Sequence, residues 1–156
     1  MKRFRPIHGL LVVVVLMLAT FAAERLLGGD RATATRVSPD RDGRVVIDAS
    51  DIEPSDVRFF RFLNSGNQEV RFLVGRDPAG EIVVAFDASE NDFKRKRGFR
   101  HEGDWLVNNK CDTATKLAEV PIGRGGCAPV PVHHRVEGSN VVLTENDLLA
   151  GWRYFR

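Results

Sequence analysis

Short apolar runs, each closed by a turn signal within a few residues, constrain this chain more than any other feature. Arg44-Val45-Val46-Ile47 is the first. Val57 to Leu63, rich in phenylalanine, is the second, and Asn64-Ser65-Gly66-Asn67 follows it with turn chemistry. Glu69 to Val74 alternates charged and apolar residues and is expected to return as the partner of a hairpin. Asp77-Pro78-Ala79-Gly80 is another turn, and Glu81 to Phe86 is apolar enough for a buried strand. Asp104 to Val107 and Asn140 to Leu143 are later candidates. Helix signals are sparse. Thr144 to Leu149 reads as a capped helical turn, with Thr144 as N-cap and acids in the first turn. The pattern predicts a mainly β fold with short helical pieces, β or α+β. It also predicts one compact domain with an irregular central insertion. A chain of 156 residues can bury an ordinary core. Its 43% hydrophobic and 28% charged residues exclude a wholly disordered polymer.

The outer segments carry a weak repeat. Gly43-Arg44-Val45-Val46-Ile47, then Asp51-Ile52, then Phe59-Phe60 has a counterpart near the C-terminus. There, Ser139-Asn140-Val141-Val142-Leu143 precedes Asp147-Leu148 and then Tyr154-Phe155. Each unit reads as a strand, a short turn and an aromatic-bearing strand. The two units are expected to lie side by side and close a sheet, with chance similarity as the alternative.

The N-terminus differs in kind. Lys2, Arg3 and Arg5 precede the apolar run Leu10 to Ala23, in which Thr20 is the single polar residue. This is the layout of a bacterial export signal, with its basic end on the cytoplasmic side. Fourteen residues span about 21 Å as a helix, short of a hydrocarbon core of about 30 Å. A retained anchor and a signal cleaved after Ala22 are both open, and a buried core helix is the alternative. The expected organisation is a signal peptide or signal anchor over 1–27, a linker over 28–43 and a globular body over 44–156. The body would face the periplasm from the inner membrane, or lie free in the periplasm after cleavage. The formal charge is +2 overall, yet the part beyond Ala23 holds 20 basic against 21 acidic residues. No nucleic-acid partner is expected of a near-neutral domain.

Chemistry concentrates in residues 86–131, where the β pattern lapses. The informative stretches are Asp87-Ala88-Ser89-Glu90-Asn91-Asp92, Gly98-Phe99-Arg100-His101-Glu102-Gly103-Asp104, Asn108-Asn109-Lys110-Cys111 and Gly125-Gly126-Cys127-Ala128-Pro129. Together they resemble the FtrD-like membrane iron–sulfur protein family. That family's motif has the form D-A-C-x-x-C, then G-Y-R-x-x-G-D, then C-N-N-C, then G-G-C-x-P. The resemblance covers about residues 43–156, and order and spacing agree across it. It picks out Asp87, Ser89, Asp92, Gly98, Asn108, Gly126 and Pro129 as motif positions. It implies an extracytoplasmic protein linked to ferrous-iron uptake and redox.

The departures matter as much as the matches. Ser89, Asp92 and Asn108 stand where the resemblance implies cysteines, so two of five thiols remain, Cys111 and Cys127. A hydroxyl or an amide is a poor substitute for a soft, anionic thiolate ligand. An iron–sulfur cluster held by this chain alone is therefore not expected. Cys111 and Cys127 fit a disulfide in an oxidising compartment. They also fit a metal or redox site completed by His101 or Asp92, or by His133 or His134, with copper or zinc bound. Inert buried thiols are the third reading, and a cluster shared with a partner chain the fourth.

Other conspicuous residues have plainer roles. His133 and His134 are adjacent, so in a strand their rings point to opposite faces. The basic run Lys94 to Arg97 suits a solvated loop, or contact with anionic lipid or an acidic partner. Asp87 and Asp92 suit turns, or a hard cation. Trp105, Trp152 and Tyr154 read as core or rim aromatics. No hydrolytic triad order, phosphate-binding loop or zinc-protease helix motif is present. The expectation is a non-enzymatic accessory protein of metal uptake or redox delivery, without a cofactor of its own. Its partners would be the membrane, through the N-terminal segment, and a permease or redox protein.

Overall fold

The computed structural model describes residues 13–17, 19–20, 34–91, 93–123 and 125–156. Residues 13–17 and 19–20 are helical and solvent-exposed. The rest of the segment read as a leader, with its cleavage position, lies outside the described residues. Among the described residues no helix is long and apolar enough to cross a membrane.

The body is built from three sheets. Sheet A has five strands: β1 (Thr35–Val37), β3 (Val57–Leu63), β4 (Glu69–Arg76), β5 (Ile82–Ser89) and β9 (Pro129–Pro131), in the order β1-β3-β4-β5-β9. Sheet B joins β10 (Arg135–Glu137), β11 (Asn140–Thr144) and β2 (Arg44–Asp48). Sheet C joins β6 (Phe99–Glu102), β7 (Trp105–Asn108) and β8 (Ala114–Lys116). A short helix α1 (Glu145–Leu149) follows β11, and 3-10 turns occupy Phe93–Arg95, Leu117–Ile122 and Trp152–Tyr154. The fold is mainly β in a single compact domain, as the sequence pattern predicts.

The long strands read as near-continuous apolar runs because sheet A is covered on both faces. Side chains alternate across a strand, so register assigns each residue to a layer. Phe60 pairs with Phe72 and Phe72 with Phe86 on one face. That face packs with Val45, Ile47, Val141, Leu143 and Leu148 from sheet B and α1. The Phe60 and Phe72 rings stack at 5.5 Å. Phe59, Leu73 and Ala85 share the opposite face. They pack against Phe99 and Leu106 of sheet C and against Leu117 and Val120 of the 3-10 turn.

The predicted hairpin is β3 and β4, paired antiparallel from Val57↔Gly75 to Leu63↔Glu69. Its turn closes with Asn64 Oδ1 accepting from the Gln68 N–H at 2.9 Å. The two repeat strands do lie side by side. β2 and β11 pair antiparallel, with Val45↔Leu143 and Ile47↔Val141 in register. Thr144 caps α1 in a full capping box: its hydroxyl accepts from the Asp147 N–H while the Asp147 carboxylate accepts from the Thr144 N–H.

Three features differ from the sequence expectation. The segment read as linker contributes β1, which pairs parallel with β3 from Thr35↔Phe60 to Val37↔Phe62. Its composition is polar because β1 is an edge strand and its first two residues are exposed. Tyr154 and Phe155 do not form a strand. Tyr154 sits in the closing 3-10 turn, buried against the Phe86 and Phe93 rings. The central insertion is also less irregular than expected, since it holds all of sheet C and β9.

Candidate functional site

The motif stretches converge at one end of the three-sheet stack. β5 carries Asp87 and Ser89 out of sheet A, and Ser89 is in register with Pro129 of β9. β7 ends in Asn108, which leads into the turn bearing Cys111. The loop before β9 brings back Gly126 and Cys127. Asp87, Ser89 and Asn108 are all buried.

Buried polar groups require partners, and here the partners come from one another. Asp87 Oδ1 accepts from the Phe99 N–H at 2.6 Å, tying β5 to the start of β6. Asn108 Nδ2 donates to Ser89 Oγ at 3.3 Å and to the Cys127 carbonyl at 3.0 Å. Asn108 Oδ1 accepts from the Lys110 N–H at 2.9 Å and from the Cys111 N–H at 3.0 Å. One amide therefore braces the Cys111 turn, the Cys127 loop and the end of β5. Gly98 and Gly126 both have positive φ, at 56° and 65°. Their carbonyls accept from the Asn109 and Asn91 N–H groups, which fixes the two loops to the same cluster.

Cys111 and Cys127 form a disulfide with an S–S distance of 2.03 Å and a Cα–Cα distance of 6.4 Å. It joins the turn beyond β7, in sheet C, to the loop preceding β9, on the edge of sheet A. Of the readings open for these two residues, the disulfide is the one found.

The other candidate ligands are dispersed. Asp92 lies outside the described residues. His101 Nε2 lies 2.6 Å from the Gly103 carbonyl and 3.0 Å from the Ser55 carbonyl. His133 Nδ1 meets Asp147 Oδ1 at 3.1 Å, and His134 Nδ1 lies 2.9 Å from the Val132 carbonyl. Among the described residues no three His, Cys, Asp or Glu side chains are gathered to hold a metal ion.

A cavity of about 340 Å³ opens beside the cluster. Its wall includes Asp87, Ser89 and Asn108, two cations, Arg71 and Lys96, and the aromatic residues Phe93, Tyr154 and Phe155. Sequence reasoning picked Asp87, Ser89 and Asn108 as motif positions without their roles. Asn108 had a readable signal: an asparagine that opens a turn commonly accepts from the N–H two residues on. Arg71 had none, because its place at the cavity depends on strand register.

These features define a β domain whose motif loops are clasped at one end by a disulfide and a buried amide, with few thiols. The model of the membrane iron–sulfur containing protein FtrD-like family matches residues 50–155, and the chain belongs to that family. No curated protein and no solved structure matches it.

The residues present do not fit the group that the family name implies. Clusters are held by about four thiolates. The described residues supply two cysteines, and both are joined to each other. Ser89 and Asn108 are neutral and hydrogen-bonded together.

Proposed function

We propose that this chain is an extracytoplasmic, membrane-associated accessory protein of iron uptake or redox delivery that acts by protein contact. It has no catalytic role and binds no iron–sulfur cluster of its own. Membership of the family supports the membrane and iron-uptake setting. The observation that carries the rest is the state of the motif. Four of its five cysteine positions, Ser89, Asn108, Cys111 and Cys127, are linked through one amide and one disulfide. Such an arrangement fixes loops and offers no open ligand position.

On this reading the N-terminal segment holds the body at the inner membrane, facing the periplasm, where a disulfide persists. The partner is a permease or redox protein of the same membrane. Iron and acid-labile sulfide analysis, with a visible spectrum, on protein purified without oxygen tests the proposal. Iron near the protein's molar concentration, with charge-transfer absorbance, would overturn it. The same sample should yield no stoichiometric copper or zinc that Cys111→Ser removes.

A further inference from the structure

Lys96 is the residue at this end of the molecule that folding explains least. It has a φ of 51°, in the left-handed region where glycine or asparagine is the usual occupant. It closes a turn, with its N–H donating to the Phe93 carbonyl at 3.0 Å, a bond that glycine would make equally well. Among the described residues the Lys96 side chain has no hydrogen bond or ion pair. What that side chain does is line the cavity. A residue in a strained conformation whose side chain has no hydrogen-bond or ion-pair partner among the described residues, and which lines a cavity, points to a ligand there.

The surroundings define what that is. Arg71 also lines the cavity and is the register partner of Arg61 on β3, so two arginines stand opposite each other on one face of sheet A. Like charges directly opposite destabilise a sheet unless an anion relieves them. Glu69 meets Arg71 at 3.1 Å and Asp87 stands on the same wall, so two carboxylates balance the two cations and the cavity suits at most one added negative charge, placed at Lys96. Phe93, Tyr154 and Phe155 supply an apolar side to the cavity. Its volume falls at the lower end of small-molecule sites, about 300 to 1,000 Å³.

We propose that this cavity binds a small organic monocarboxylate, its charge against Lys96 and Arg71 and its apolar body against Phe93, Tyr154 and Phe155. The site rests on the reading above that no cluster occupies this end of the molecule.

The test titrates the full chain with benzoate, phenylacetate and hexanoate, and with their neutral amides. Binding is followed by calorimetry and by NMR shifts. At least one carboxylate should bind saturably, and its amide at least tenfold more weakly. Lys96→Gly should reduce carboxylate affinity at least tenfold while leaving the melting temperature unchanged or raised. That pairing separates a ligand contact from a folding role. Saturable binding that Lys96→Gly leaves intact, equal binding of acid and amide, or no binding of any acid would each overturn the proposal. Iron and sulfide analysis of the same sample keeps the two failures apart. Bound cluster defeats the cluster-free reading, whereas iron-free protein that ignores every carboxylate defeats this site alone.

Discussion

Asn108 donates its side-chain amide to the carbonyl of Cys127 at 3.0 Å, and its Oδ1 accepts from the N–H of Cys111 at the same distance. A single side chain thus holds both ends of the covalent link, and does so from a buried position. Replacing it with alanine would leave the Cys127 carbonyl and the Lys110 and Cys111 N–H groups short of a partner. A fully buried orphan costs about 1–3 kcal/mol, and these cost less apiece because Lys110 is exposed and Cys111 and Cys127 are half-buried, within reach of water. Asn108→Ala should destabilise the domain by about 3 kcal/mol. Urea unfolding should show a lower midpoint at unchanged slope.

The covalent link itself has a separate, measurable share. Closing a loop of about 15 residues restricts the unfolded chain and contributes roughly 3 kcal/mol in the chain-entropy model. Here the two cysteines are 16 residues apart. Protein taken from an oxidising compartment should resist alkylation until it is reduced, as read by intact mass. The double variant Cys111→Ser, Cys127→Ser should unfold at lower urea. Two freely alkylated thiols in the exported protein would contradict the pairing.

Gly151 is fixed by its neighbour and not by its backbone, whose φ of −85° any residue can adopt. A Cβ there would lie 2.3 Å from Phe86 Cζ. The Phe86 ring is buried and also meets the Tyr154 and Phe155 rings at 6.0 and 6.3 Å, so it has little freedom to move aside. Overpacking of this kind costs about 1–3 kcal/mol. Gly151→Ala should lower the thermal midpoint by several degrees in calorimetry.

Asp147 makes stability depend on acid. Burial raises its pKa, but the Thr144 hydroxyl and N–H and the charge of His133 outweigh this, so the carboxyl is held below its ordinary value of 3.8. A depressed carboxylate stabilises the fold above the unfolded pKa, and that contribution is lost as pH falls through the folded value. Asp147→Asn should therefore cost stability at pH 7, about 1 kcal/mol for a weakened helix cap. The difference from the unaltered protein should shrink below pH 3.8. Urea titrations at pH 7 and pH 3 measure both.

Legibility of the fold followed the strength of local pattern. The β3–β4 hairpin was readable because its apolar runs flank a turn with Asn64 at its mouth. The Thr144 cap was readable because capping chemistry lies within four residues. β9 was not, since Pro129-Val130-Pro131 carries two residues that cannot donate to a ladder and is tolerated only at a sheet edge. β1 was missed for a related reason: three residues held by pairing with β3 leave no periodicity to find. The 3-10 turn at Trp152–Tyr154 was mistaken for a strand because aromatic residues fit either setting. Within the site, the family motif located Asp87, Ser89 and Asn108. The turn bonds from Lys110 and Cys111 to Asn108 Oδ1 are local, but the bonds that tie Asp87 to Phe99 and Asn108 to Ser89 and Cys127 could not be read, because each joins residues twelve or more apart.

Among the described residues β2 has one hydrogen-bonded neighbour strand, β11, and the two lie about a hundred residues apart in the chain. Val45 and Ile47 therefore have no ladder to join until the final segment has been made. The earliest strand of sheet B must wait for nearly the last, and a nascent chain halted before Asn140 holds an apolar edge open. Synthesis order thus delays the closing of sheet B until β11 has been made.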